Sequence, residues 1–215
     1  MMVSGATIAA KVSHGLGISG TKAGFPLQWY RPVGGGPAIA PANLQGTVSA
    51  IIAPATNLFA AAGMWGKADR FGAFDPTNFL AGDYIIGSDT LFLAELVSGA
   101  AAVRLVLCNE VLTWSKMSDP PPGPGFRPGV RVAMPVVTGW PGWVQPSDKK
   151  SPGEMHLPGT VEMPSVAVFL PVSVPGQIVR GDQLRSGEVW PITYTVESAI
   201  LSPNGWQITA IRAGA

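Results

Sequence analysis

A Gly-Asp pair, a short strand, a glycine turn and two further apolar strands occur in that order twice in this chain. The first copy runs Gly82-Asp83-Tyr84-Ile85-Ile86-Gly87, then Thr90–Ala94, then Val103–Leu107. The second runs Gly181-Asp182 through Gly187, then Ile192–Val196, then Gly205–Ala210. Runs of four to six apolar or β-branched residues between glycine turns read as consecutive antiparallel strands. The chain is therefore expected to be mainly β, an antiparallel β-barrel or sandwich built from two similar β-meanders. Asp83 and Asp182 take equivalent places in the two copies. Paired carboxylates are one reading. The reading we prefer is that each accepts backbone hydrogen bonds at a turn before a strand.

Proline and glycine place the breaks. Ten prolines and seven glycines fall in Met117–Thr160, including Asp119-Pro120-Pro121-Pro122-Gly123-Pro124-Gly125. Proline lacks the donor a central strand needs. This stretch therefore reads as a Pro/Gly-rich insertion carrying one strand at Val130–Trp140, followed by a long loop over Pro141–Pro158. The expected organisation is an N-terminal arm over 1–24 and a β-domain over 25–215. Its two meander modules span about 25–116 and 161–215, with the insertion at 117–160. Phe25–Pro32 and Leu44–Ile52 read as extended segments, and Val161–Val174 as a strand buried on both faces or lying in an interface. In the arm, Ala6–Val12 predicts a helix of two or three turns ended by Gly15, Gly17 and Gly20. Too short to stand alone, it is expected to be mobile in the free chain and ordered in an assembly, on a neighbouring subunit or another partner protein.

Charge narrows the class. Hydrophobic residues make up 47% and charged residues 13% of the 215 residues, against about 25% charged in a typical soluble domain. A membrane protein and an obligate assembly both fit that shortage. Every apolar stretch is broken by Pro, Asn, Gln, Gly or a charge before reaching the roughly 20 residues a spanning helix needs, so assembly is preferred. The net charge of +1 speaks against a broad nucleic-acid-binding face. Lys11, Lys22, Arg31 and Lys67 nevertheless precede the first acid, Asp69. Such an arm suits an acidic partner or a phosphate backbone, or is simply a solvated segment.

Motifs for chemistry are weak. Gly15-Leu16-Gly17-Ile18-Ser19-Gly20 spells a dinucleotide-binding pattern, but it lacks a preceding strand and an acid some 20 residues later. His14 and His156, the two histidines, show no metal-ligand spacing. Cys108 is the single cysteine. It sits in an apolar run and reads as a small buried hydrophobe. No catalytic, cofactor or metal residue is assigned, and the chain is not expected to be an enzyme. The candidate partner-interface residues are Lys11, Lys22, Trp29, Arg31, Trp140 and Trp143, the tryptophans lying beside Pro/Gly loops where interface anchors occur.

A set of short islands resembles a group of tailed-bacteriophage virion proteins of the head–tail region. The islands are the Ala/Gly-rich first helix, Trp29-Tyr30-Arg31-Pro32, Phe74-Asp75-Pro76-Thr77-Asn78, Gly82-Asp83-Tyr84, Cys108-Asn109, Thr138-Gly139-Trp140-Pro141, and Gly181-Asp182 with Gly205-Trp206 and Thr209-Ala210. The resemblance implies a β-rich neck, adaptor or head-closure component that forms a homo-oligomeric ring between portal and tail. It would lie in the virion, after assembly in the host cytoplasm, with passive contact to DNA in a lumen and none to a membrane. A tail or baseplate β-module, or a carbohydrate-binding module using exposed tryptophans, are the alternatives.

Overall fold

A computed structural model describes residues 5–54, 68–95, 103–118, 131–147, 165–187 and 191–213. A helix, α1 (Gly5–Ala23), precedes twelve strands. The first six are β1 (Phe25–Tyr30), β2 (Leu44–Pro54), β3 (Asp69–Ala73), β4 (Tyr84–Ile86), β5 (Thr90–Glu95) and β6 (Val103–Cys108). The second six are β7 (Glu110–Ser118), β8 (Val132–Pro146), β9 (Ser165–Leu170), β10 (Gln183–Ser186), β11 (Ile192–Ser202) and β12 (Gly205–Arg212). Each set closes into an antiparallel barrel, in the orders β1-β2-β3-β6-β5-β4 and β7-β8-β9-β12-β11-β10. The two orders are the same. In each, three strands are followed by a hairpin-connected trio whose last member returns beside the third, a Greek-key path. Closure removes the sheet edges that would otherwise have to be covered.

The expected β-class holds, and the two meanders belong to two separate barrels. Boundaries differ from expectation in two places. The first barrel ends at Cys108, because Asn109 turns the chain into β7. The Asn109 backbone N–H donates to the Gly142 carbonyl at 2.9 Å. Its side chain then acts as an extra peptide group, donating to the Val144 carbonyl and accepting from the Val144 N–H, both at 2.8 Å. The strand expected at Val130–Trp140 within 117–160 is present as the first part of β8, which takes its place in the second barrel between β7 and β9. That strand also continues past Trp140 to Pro146, through residues expected to form a loop. Pro141 and Pro146 are tolerated there because the strand is irregular. The β7–β8 register shifts on both sides of Trp114, and only Trp143–Pro146 pair with β9. The segments 119–125 and 148–160 lie outside the described residues.

The barrels share apolar surface. Leu91, Phe92, Leu93 and Ala94 of β5 are all buried. Leu91 and Leu93 face the first barrel's interior with Phe74, Ile85, Val103 and Leu105. Phe92, Tyr84 and Val106 face outward into a core that continues through Trp140, Leu112 and Trp114 of the second barrel. Each fully buried side chain of this size contributes roughly 1.5–3 kcal/mol, so separating the barrels would be costly. Polar groups tie the seam. The Tyr84 hydroxyl donates to the Pro141 carbonyl at 2.7 Å, and the Ser173 hydroxyl to that of Gly82 at 2.9 Å. The β1–β2 connection also lies along β8, where the Trp140 indole N–H donates to the Gly36 carbonyl at 2.8 Å and the Thr138 N–H to that of Gly35 at 3.0 Å.

The N-terminal segment departs from its expected form. The helix runs through Gly15, Gly17 and Gly20 instead of stopping at them, and it docks on its own barrel. A Cβ on Gly20 would stand 2.4 Å from the Ser49 carbonyl oxygen in β2 and 2.9 Å from that of Ala73 in β3. The missing side chain is what lets the helix lie this close, and the packing offsets a helix-propensity cost of about 1 kcal/mol per glycine. No described helix is long and apolar enough to cross a membrane. Gly20→Ala is expected to destabilise the chain by roughly 1–3 kcal/mol through overpacking. Gly15→Ala, with open space around it, should be neutral or stabilising by up to about 1 kcal/mol. Urea unfolding of the two variants, with limited proteolysis at the helix, checks the contrast.

Candidate functional site

Each barrel carries the same polar station where its fourth strand begins. Gly82 and Gly181 adopt φ of +92° and +90°, a conformation open to glycine at little cost. The turn then points the following aspartate inward. Asp83 and Asp182 are 2% and 3% exposed. One carboxylate oxygen of Asp83 accepts from the Leu80 N–H and the Trp29 indole N–H, both at 2.9 Å. One oxygen of Asp182 accepts from the Val179 N–H at 3.0 Å and the Trp114 indole N–H at 2.9 Å. Trp29 pairs in register with Ile85, and Trp114 with Leu184, each two residues past its aspartate. A cation stands over each indole, Arg31 at 5.3 Å from the Trp29 centroid and Lys116 at 5.7 Å from that of Trp114. The structural reading of the two aspartates is therefore the one the geometry supports.

The stations differ in one respect. Arg31 grips Asp83 through Nε at 3.0 Å and Nη2 at 2.8 Å, and donates further to the Asn78 carbonyl. These bonds raise the Arg31 pKa above its ordinary value against the opposing effect of desolvation. For Lys116, no such bond to Asp182 is formed. Asp83→Asn would turn an amide N–H toward Arg31 Nε, so a loss of about 2–3 kcal/mol is expected, below the full range for a buried pair because Arg31 is partly exposed. Asp182→Asn can keep its oxygen where both donors converge and should cost about 1 kcal/mol or less. Denaturant midpoints of the two variants measure the difference.

The expected interface residues are thus distributed unevenly. Trp29 and Arg31 come together at the first station and are engaged internally. Trp140 is 1% exposed, its ring 6.4 Å from that of Tyr84, so it serves the seam between barrels and is not presented to a partner. Trp143 is partly buried and donates to the Gln145 side chain at 3.0 Å. With Trp114 and Trp206 also in the core, the described tryptophans form no exposed platform for a sugar. Lys11 and Lys22 are exposed on α1. Lys22 lines a groove of about 510 Å³ between α1 and β2 with His14, Thr21, Thr47, Ser49 and Asp75. The Thr21 hydroxyl is bonded to the Gly17 carbonyl and Asp75 to the Thr77 N–H. Among the described residues, no group of three or more His, Cys, Asp or Glu could hold a metal. Cys108 packs against the shared core, and burial pushes its thiol pKa up. Although the residue keeps some exposed surface, its alkylation by iodoacetamide at pH 8 should be slow in the folded chain and rapid in urea.

Exposed apolar side chains form the other candidate surface. In the second barrel β7, β9 and β11 run one way and β8, β10 and β12 the other. Ser118, Val132, Ser202 and Gly205 therefore lie at one end, with the loop that precedes Asp182. Val132, Met134, Val179, Ile200 and Leu201 are all exposed at that end, Ile200 at 63% and Met134 at 54%. Lys116 and this apolar end were missed from sequence. The signal for Lys116 was present, since Trp29-Tyr30-Arg31 and Trp114-Ser115-Lys116 share a spacing of aromatic and cation. The fold and these surfaces define a mainly β protein of two like six-stranded barrels. No family model, curated protein or solved structure matches the chain.

Proposed function

We propose that the chain is a non-enzymatic assembly protein, a ring-forming connector of the head–tail region in a tailed-phage virion. The observation that carries the assembly part is the gathering of exposed apolar side chains at one end of the second barrel, in a chain with 13% charged residues. Soluble monomers rarely leave large contiguous apolar surface in water, and assembly covers it. The extensive packing between barrels favours the same reading, because a ring subunit must hold its contact faces at a constant angle. The virion setting, the portal and tail partners and passive contact with DNA rest on the sequence islands described above.

The test is the mass of the chain in solution and after mixing with portal and tail proteins. Sedimentation velocity of the wild-type chain is expected to give a closed oligomer, or a complex with one of those partners. Ile200→Glu and Met134→Glu alter side chains at that end that are 63% and 54% exposed. They should leave the circular dichroism unchanged while weakening assembly by tenfold or more, about 1.4 kcal/mol. A wild-type chain that stays monomeric and binds neither partner overturns the proposal.

A further inference from the structure

The mouth of the second barrel holds buried donors that lack acceptors, and it lies between the projecting β7–β8 hairpin and the turn end of the β11–β12 hairpin, where Trp206 still pairs with Leu170 of β9. Beyond the barrel wall the β7–β8 hairpin continues with only its own two strands paired. β10 reaches β7 only as far as Ser115, while Lys116–Ser118 pair with Met134–Val132. Strand order places this hairpin across the mouth from the β11–β12 hairpin, with β9 on one side between them and β10 on the other. Their facing surfaces follow from register. Trp114 points into the core, and Lys116, lying over its ring, shares that face. The partners opposite, Met134 and Val132, share it too. On the other arm Trp206 faces the core, and its register partner Leu201 continues that face at 51% exposure. Two apolar jaws therefore oppose each other over the barrel interior.

At the base of the jaws Trp206 is 3% exposed, and its indole N–H has no hydrogen-bond partner. The Ser118 hydroxyl, in the outermost described pair of the opposite arm, is also buried without one. Among the described tryptophans this is exceptional, because Trp29, Trp114, Trp140 and Trp143 all donate to internal acceptors. Burying a donor unsatisfied is costly, and a native structure that does so calls for an explanation. We infer that this mouth is a docking cleft for an extended, apolar segment of a partner polypeptide, whose backbone carbonyl oxygens accept from Trp206 and Ser118. An extended chain offers carbonyls at regular intervals and apolar side chains to both jaws. The unpaired backbone of the hairpin arms offers it strand-like hydrogen bonds in addition. A hydrocarbon chain would fill the jaws and leave both donors unsatisfied.

The inference deepens the assembly reading and rests on it for the nature of the partner. Its test uses the ¹⁵N-labelled full chain and three blocked heptapeptides with threonine alternating with valine, leucine or phenylalanine. The Trp206 indole resonance is identified by its loss in Trp206→Phe. Saturating peptide is expected to move that resonance downfield, and Trp206→Phe to weaken binding roughly tenfold, the worth of one buried hydrogen bond. Met134→Glu and Leu201→Glu alter exposed rim positions, so they should keep the fold while abolishing binding. An unmoved resonance with all three peptides overturns the inference. So does equal binding by Trp206→Phe, or binding of anilinonaphthalene sulfonate at the jaws without binding of peptide. A chain that assembles while the resonance stays still loses this inference alone. A chain that binds peptide through Trp206 but forms no complex in sedimentation loses the assembly reading alone.

Discussion

The seam where one barrel's outer wall becomes part of the other's core governs the architecture. A small barrel can fill its own interior with side chains, as Phe74, Ile85, Leu91 and Leu105 do in the first. Its outer wall must then meet water or a neighbour. Here Tyr84, Phe92 and Val106 on that wall pack into the cluster that contains Trp140 and Trp114, and the strand between the two layers, β5, is apolar on both faces. The polar cost at such a seam is small only if every buried group has a partner. Tyr84 meets this with one bond to Pro141. Burial raises its phenol pKa well above the ordinary value, so the hydroxyl stays protonated and remains a donor.

The two Gly-Asp stations solve a local problem that recurs with the topology. The connection from third to fourth strand crosses an end of the barrel and leaves backbone N–H groups without ladder partners. A buried carboxylate collects them, together with the indole N–H of the first strand. The backbone closes the same turn in both barrels. The Gly82 N–H donates to the Leu93 carbonyl and the Leu93 N–H to that of Asp83, just as the Gly181 N–H donates to the Val196 carbonyl and the Val196 N–H to that of Asp182. Such a station links the fourth and fifth strands of its barrel to the first, more than fifty residues earlier in the chain. The first, with Arg31 clamped on Asp83, lies beside the seam. The second, with Lys116 over Trp114, lies at the base of the exposed jaws. The same device is thus used once for internal cohesion and once beneath a surface left open.

Much of the strand order was legible because closed antiparallel barrels leave a simple trace. Val103–Leu107, Thr90–Ala94 and Gly205–Ala210 were readable as strands from apolar runs between glycine turns, and the paired Gly-Asp motif marked the repeat. Two features misled the reading. Glycine in α1 was taken at its helix-breaking propensity, whereas Gly20 is selected by the backbone oxygens of Ser49 and Ala73, contacts that no local rule can anticipate. Proline at 141 and 146 hid the last part of β8, because a strand with register shifts and a partly unpaired edge tolerates what a regular central strand cannot.

What the sequence alone determined was the class: short strands, a duplicated turn, a single inert thiol and a shortage of charge that calls for extensive burial. These are consequences of local propensity and composition, which each residue carries with it. Which surfaces are buried was decided by the tertiary structure. Trp140 and Arg31 looked equally available beside their loops, yet one fills the seam and the other pairs with an aspartate fifty-two residues away. Trp206, by contrast, carried no mark in the sequence. That its indole N–H is buried without a partner follows from the packing of the closed barrel, which no local pattern signals. Periodicity reports which face of a strand is apolar, but the identity of what covers that face is a property of the assembled fold.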